Sequence, residues 1–275
     1  MKKIIAVVFM TMGFIALNAQ EIDFVEYDLD NGLHVILHQD NRAPVITTSV
    51  QYHVGSKNEE VGRSGFAHFF EHLLFEGTKN IGSGEWFKIV EANGGSNNAY
   101  TTDDSTYYYE VFPSNKLELS LWMESERMLH PIIRQTDRID LQEGVVKEEK
   151  NFRYRNAPYG GLLYAVRSQL YKVHPYGRLT IGLDKDLEAA NIDDFIKFNS
   201  LYHKPNNATL VVAGDIDYEE TKKLIKKYFD DIPSSSLDKN ELPSEDLITE
   251  TRRSTWYDPN VQVPALLVGY ITPKM

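Results

Sequence analysis

The chain has 275 residues, 25% charged and 42% hydrophobic, which is the balance of a globular protein with one large domain or two modest ones. Its formal net charge of -11 is the reverse of the basic footprint a nucleic-acid binder needs, so nucleic acid is excluded as a partner. With no cysteine, it has neither disulfides nor thiolate ligands, and any zinc site must be built from His, Asp and Glu.

In chain order, residues 1–19 pair Lys2 and Lys3 with an apolar run from Ile4 to Ala19. That run is shorter than the ~20 residues needed to span a bilayer and ends on a small residue. It reads as a signal peptide cut near Ala19-Gln20, which places the protein in the periplasm or cell envelope; an uncleaved anchor is the alternative. DFVEYDLD and LHVILHQD flank Asn31-Gly32, a hairpin turn signal, and APVITTSVQYHVGS follows as a third strand. Ser64 is the expected N-cap of a helix through HFFEH, with Gly77 as its stop. GEWFKIVEAN reads as a second helix, and SNNAYTT and STYYYEVF as paired strands rich in β-branched and aromatic residues. Helices are expected over LELSLWMESERML, from about Asp137 to Arg155, over GLLYAVRSQLY and over DDFIKFNSLY. NATLVVAGDI is a buried strand and YEETKKLIKKYF an amphipathic helix. Residues 20–233 thus form one domain, 234–252 a polar linker, and 253–275 the start of a truncated second domain, with strands over STWYD and ALLVGYITP. Strands and helices without strict βαβ alternation give an α+β fold, a mixed or antiparallel sheet packed with helices.

HFFEH raises the functional question. At 3.6 residues per turn, His68 and His72 lie one above the other, the spacing two imidazoles need to grip one metal ion. Glu71 is offset by about 100°, close enough to act on water held there without being forced to ligate. The three residues therefore supply two ligands and a general base. Set among Phe66, Phe69, Phe70, Leu73 and Leu74, they are costly to bury without a purpose. A catalytic zinc typically takes a third protein ligand. The candidates lie in EGVVKEEKNFRYR, where most charges belong to a solvated helix face. Measured from Val145, Glu148 and Glu149 fall on either side of the apolar stripe, and periodicity does not choose between them.

HFFEH, followed 76 residues after His72 by the first Glu of VVKEE, resembles the inverted-motif zinc peptidases of the pitrilysin-like (M16) family, which includes the mitochondrial processing peptidase and insulin-degrading enzyme. GGSNNAYTTDDSTYYYEVFP, HPYGRLTIGLDKDL and LYHKPNNATLVVAGDID occur in the family's order, so the resemblance covers the mature chain. It implies a metallopeptidase half-domain that holds Zn2+ on His68, His72 and Glu148, with Glu71 as base, and hydrolyses extended peptides. It favours Glu148 because the ligand in VVxEE-type relatives is the first of the two acids. It matches Asn98 and Ala99 to the strand whose backbone pairs with a peptide substrate, as edge strands do by strand addition. Where many relatives carry a further acid before the ligand, this chain has Leu141, with Glu143 the nearest substitute. Relatives enclose substrate between two homologous halves, so a C-terminal half or partner subunit is implied. The alternative is a non-catalytic or partner-dependent subunit that binds peptides.

Overall fold

The computed structural model describes residues 22–131, 136–236 and 241–272; the expected leader lies outside them. β1 (Val25–Asp28) and β2 (His34–Gln39) form the expected antiparallel hairpin. Only Gly32 takes a positive φ, +86°, whereas Asn31 does not. The Asn31 side-chain amide instead donates to Phe229 O at 2.7 Å and Ile232 O at 3.0 Å, fastening the turn to a distant part of the chain.

β3 (Val45–Tyr52), β4 (Ser96–Thr101), β5 (Thr106–Pro113) and β6 (Ala208–Gly214) complete a six-stranded sheet in the order β1-β2-β6-β3-β5-β4. β6 runs parallel to β2 and antiparallel to β3, and every other pairing is antiparallel. The strand pattern has a period of two. Val35 and Leu37, Ile46 and Val50, Tyr108 and Phe112, and Leu210 and Val212 are buried in one core. Ile36 on β2, Tyr107, Tyr109 and Val111 on β5, and Val211 on β6, on the alternate positions, are half-exposed.

The helices are α1 (Phe66–Leu73), α2 (Trp86–Ala92), α3 (Leu117–Leu129), α4 (Thr136–Lys150), α5 (Leu162–Leu170), α6 (Asp184–Glu188), α7 (Ile192–Tyr202) and α8 (Tyr218–Phe229). α1 packs on β4 and β5, α3 on β3 and β5, and α3 and α8 pack together. α4 continues into a π-helical segment, Asn151–Arg155, so the expected helix to Arg155 changes winding after Lys150. Among the described residues no helix is long and apolar enough to cross a membrane.

Three expectations are corrected. Gly65, not Ser64, is the N-cap of α1, with φ +94°, because the Ser64 hydroxyl donates to Asp186 instead. α1 ends at Leu73 with Leu74 as its cap, short of Gly77. Among the described residues, STWYD and the following apolar stretch through Thr272 form no strand. That segment follows α5, where Arg252 donates to Gln169 O at 2.6 Å and Trp256 meets Tyr164 edge-on at 6.0 Å. Leu266, Val268 and Tyr270 stay exposed, the pattern of a strand sequence that has no neighbouring strand to pair with.

Beneath α1 lies a buried ionic cluster. The fully buried Arg127 sits between the faces of Phe75, Trp86 and Tyr108, 4.6, 4.0 and 4.3 Å from their centres. It donates to both Glu124 oxygens at 3.1 and 3.0 Å and lies 3.7 Å from Glu110. A third nitrogen donates to Leu74 O at 3.2 Å, tying the cluster to the C-cap of α1. Burial, reinforced by the Glu124 charge and opposed by Arg127, pushes the Glu110 carboxyl up to about 8. Two acids and one guanidinium in a dry core favour keeping one acid protonated.

Candidate metal centre

α1 carries the motif on two turns of helix. Its apolar side, Phe66, Phe69, Phe70 and Leu73, enters the core, with Phe66 and Phe69 stacked on Phe195 of α7. Burying that side fixes the rotation of α1 and leaves His68, Glu71 and His72 at the rim. His68 is buried, and Glu71 and His72 are half-buried. The N-terminal end is held by Glu59, whose carboxylate accepts from Gly65 N and Ala67 N, both at 3.0 Å. Those oxygens satisfy open backbone donors at the helix start, while burial, opposed by these two bonds, pushes the Glu59 carboxyl up to about 8.

The imidazoles lie 4.8 Å apart, centre to centre. Across from them is Glu149, not Glu148. Glu149 Oε2 lies 3.2 Å from His72 Nε2 and 3.5 Å from His68 Nε2, and its other oxygen accepts from Arg153 at 3.0 Å. Glu148 is exposed and accepts from Asn151 at 3.3 Å. The expectation that the first acid reaches the histidines is therefore corrected. Its cause lies in the choice of reference residue. Val145 is 43% exposed, whereas Val146 is fully buried. Measured from Val146, Glu148 points about 200° away and Glu149 within about 60° of the buried line.

His68, His72 and Glu149 are the candidate metal group among the described residues, with one ligand atom from each within 4.8 Å of the others. Two imidazole nitrogens and one carboxylate oxygen form the donor set of a three-ligand catalytic zinc site, so the residues present fit that ion. The two facing imidazoles, helped by Arg153, hold the Glu149 carboxyl well below the usual carboxylate range, against the opposing effect of burial. The group is thus kept as the anion that ligation requires.

Glu71 Oε2 accepts from Thr101 Oγ1 at 2.6 Å. Thr101 is the last residue of β4, so the expected base is fixed to the end of that strand. Sequence reading missed Thr101, since a threonine at a strand end carries no signal of its own. β4 is an edge of the sheet, paired on one side with β5. Asn98 is exposed on it, Ala99 packs partly against the core, and the Ala99 N–H donates to Asn98 Oδ1 at 2.8 Å. Glu143 lies outside the group, paired with Lys147 at 2.6 Å, and Leu141 is exposed.

A sheet layered with helices and an inverted His-Glu-His helix facing a distant acid define a metallopeptidase half of the pitrilysin type. The comparisons with known proteins agree. Residues 34–182 match Insulinase (Peptidase family M16), and residues 189–275 match the Peptidase M16 inactive domain. The chain belongs to peptidase family M16. It is 34% identical over 250 residues to the zinc protease PqqE of Helicobacter pylori (strain ATCC 700392 / 26695), covering 89% of this chain and 56% of that one. Its structure is similar to a protease from Helicobacter pylori (TM-score 0.75, 36% identity, 82% of this chain and 53% of that one). It is also similar to the periplasmic protease PqqL from Escherichia coli (TM-score 0.74, 27% identity, 82% and 26%). The chain spans about half the length of the H. pylori relative. Zinc is the metal this family uses, in keeping with the His-His-Glu group.

Proposed function

We infer that the protein is one half of an exported zinc endopeptidase that hydrolyses extended peptides. The observation that carries this reading is the convergence of His68, His72 and Glu149 beside Glu71, itself bonded to the end of a free edge strand. His68, His72 and Glu149 would hold the zinc, which when bound acidifies water and polarises a carbonyl. Glu71 takes a proton from the attacking water as its oxygen bonds to the scissile carbon, then delivers that proton to the amine as the C–N bond breaks. Thr101 holds one Glu71 oxygen and leaves the other free for this transfer.

The outer edge of β4, at Asn98 and Ala99, receives the substrate backbone as an added strand. For that, the Asn98 carboxamide must release the Ala99 N–H to a substrate carbonyl. Only an extended segment presents its backbone this way, so folded proteins are poor substrates. The match to a second family domain and the half-length coverage of the relative support dependence on a homologous C-terminal half or partner subunit. The Lys2-Lys3 start and apolar run, with the periplasmic PqqL among similar structures, support export to the periplasm or cell envelope.

Glu71→Gln tests the reading. Zinc content should be retained while cleavage of an unstructured peptide falls by at least two orders of magnitude, at the low end of what loss of a general base costs. Cleavage at near-native rate by the variant, assayed against a chelator control, would overturn the assignment.

A further inference from the structure

The metal group draws its third ligand from a helix with little apolar surface of its own. Of the α4 residues after Thr136, only Val146 and Lys150 are buried, four apart on one side, while Leu141 and Val145 are 52% and 43% exposed. Hydrophobic burial alone therefore fixes α4 weakly at its C-terminal end, where Glu149 must meet the imidazoles.

Lys150 supplies a polar tie at that end. Its ammonium donates to Gly182 O and to Asp184 Oδ1, both at 2.7 Å. Gly182 in turn lies backbone against backbone on the start of α1. A Cβ at Gly182, whose φ is +80°, would fall 2.3 Å from Ser64 O and 2.5 Å from Gly65 Cα. The same loop is bonded to Ser64 a second way, since Leu183 N donates to Ser64 Oγ at 3.0 Å and Ser64 Oγ donates to Asp186 at 2.5 Å. The path from Lys150 through residues 182–186 to the cap of α1 is short and stiff. It joins the residue next to Glu149 to the helix that carries both histidines.

We propose that Lys150 is a positioning residue, which sets the distance between Glu149 and the His68–His72 pair by locking α4 to the N-terminus of α1 through Gly182. The proposal rests on the metal-site reading above, but it concerns how the site is assembled rather than the reaction. Lys147, one turn earlier, is more exposed and pairs with Glu143 at 2.6 Å and Glu188 at 2.7 Å, touching neither Gly182 nor Asp184. Exposed pairs of that kind contribute little.

Lys150→Met keeps the stem and removes the ammonium, and Asp184 retains Arg155 as a partner, so no charge is stranded. The measurement is zinc affinity of the purified protein by competition with a chromogenic chelator, together with the visible spectrum of the Co2+ form. Lys150→Met should bind zinc on the order of tenfold or more weakly, as losses of supporting contacts around metal ligands do, with an altered Co2+ spectrum. Lys150→Arg should recover much of the affinity, and Lys147→Met should match the parent. Parent-like zinc affinity and spectrum in Lys150→Met would overturn the proposal. Failure of the parent itself to bind zinc would instead sink the metal-site reading. If Lys150→Met does not fold, Asp184→Asn decides: several-fold weaker zinc binding supports the tie, and unchanged binding removes it.

Discussion

Glu148 and Glu149 differ by one peptide unit and about 100° of helical rotation, and that rotation decides which one faces the histidines. Glu149→Gln should weaken zinc binding by more than the roughly 10–100-fold that loss of an outer contact costs, since it removes a ligand charge. Glu148→Gln, on the exposed side, should leave affinity unchanged; a chelator titration of both variants checks this. Glu110 shows a different residue-scale effect. Its carboxyl is raised to about 8 in the folded protein from an ordinary 4.5, so the native state holds a proton the unfolded chain has released. The stabilisation is complete below about 4.5 and is lost as pH rises through 8, a falling stability across that window. Urea unfolding of the metal-free protein at pH 5 and pH 8 should show the decline. Glu59, likewise pushed up to about 8 by burial, adds to the same decline, so Glu110→Gln, which cannot titrate, should make it shallower without abolishing it.

Among the elements, β4 carries the substrate hypothesis. The Ala99 N–H bonds to Asn98 Oδ1, so a proline at position 99 removes an edge donor while sparing the ladder to β5. Ala99→Pro should raise KM for an extended peptide several-fold with only a small change in thermal midpoint. Equal loss of KM and stability would argue against edge pairing. The elements were legible to unequal degrees, for physical reasons. β2, β3, β5 and β6 were readable from the Asn31-Gly32 turn signal, from β-branched and aromatic residues and from the apolar run of β6. α1 was readable because its phenylalanines and histidines segregate to different sides. α4 was readable as a helix, but its buried side was not, since that side is Val146 and Lys150, and a lysine does not look like a core residue. The C-terminal apolar stretch read as strands, yet a strand forms only beside a partner, and none is adjacent to it among the described residues.

On the scale of the whole molecule, the chain belongs to family M16 and spans about half the length of the H. pylori relative, and the proposed function adds a second, homologous half. Supplying such a half, as a fused C-terminal segment or a separate subunit, should raise peptide turnover while leaving zinc affinity unchanged. Turnover that does not respond would show that one half suffices. The sequence by itself determined the α+β class and brought His68, Glu71 and His72 together, because these depend on the order of the elements along the chain and on i,i+4 spacing within one helix. Only the tertiary structure decided that Glu149 completes the group, that Thr101 holds Glu71, that β6 enters between β2 and β3, and that Arg127 anchors the end of α1. Each of these joins residues far apart in the chain, and their distances are set by how the elements pack, which no local period records.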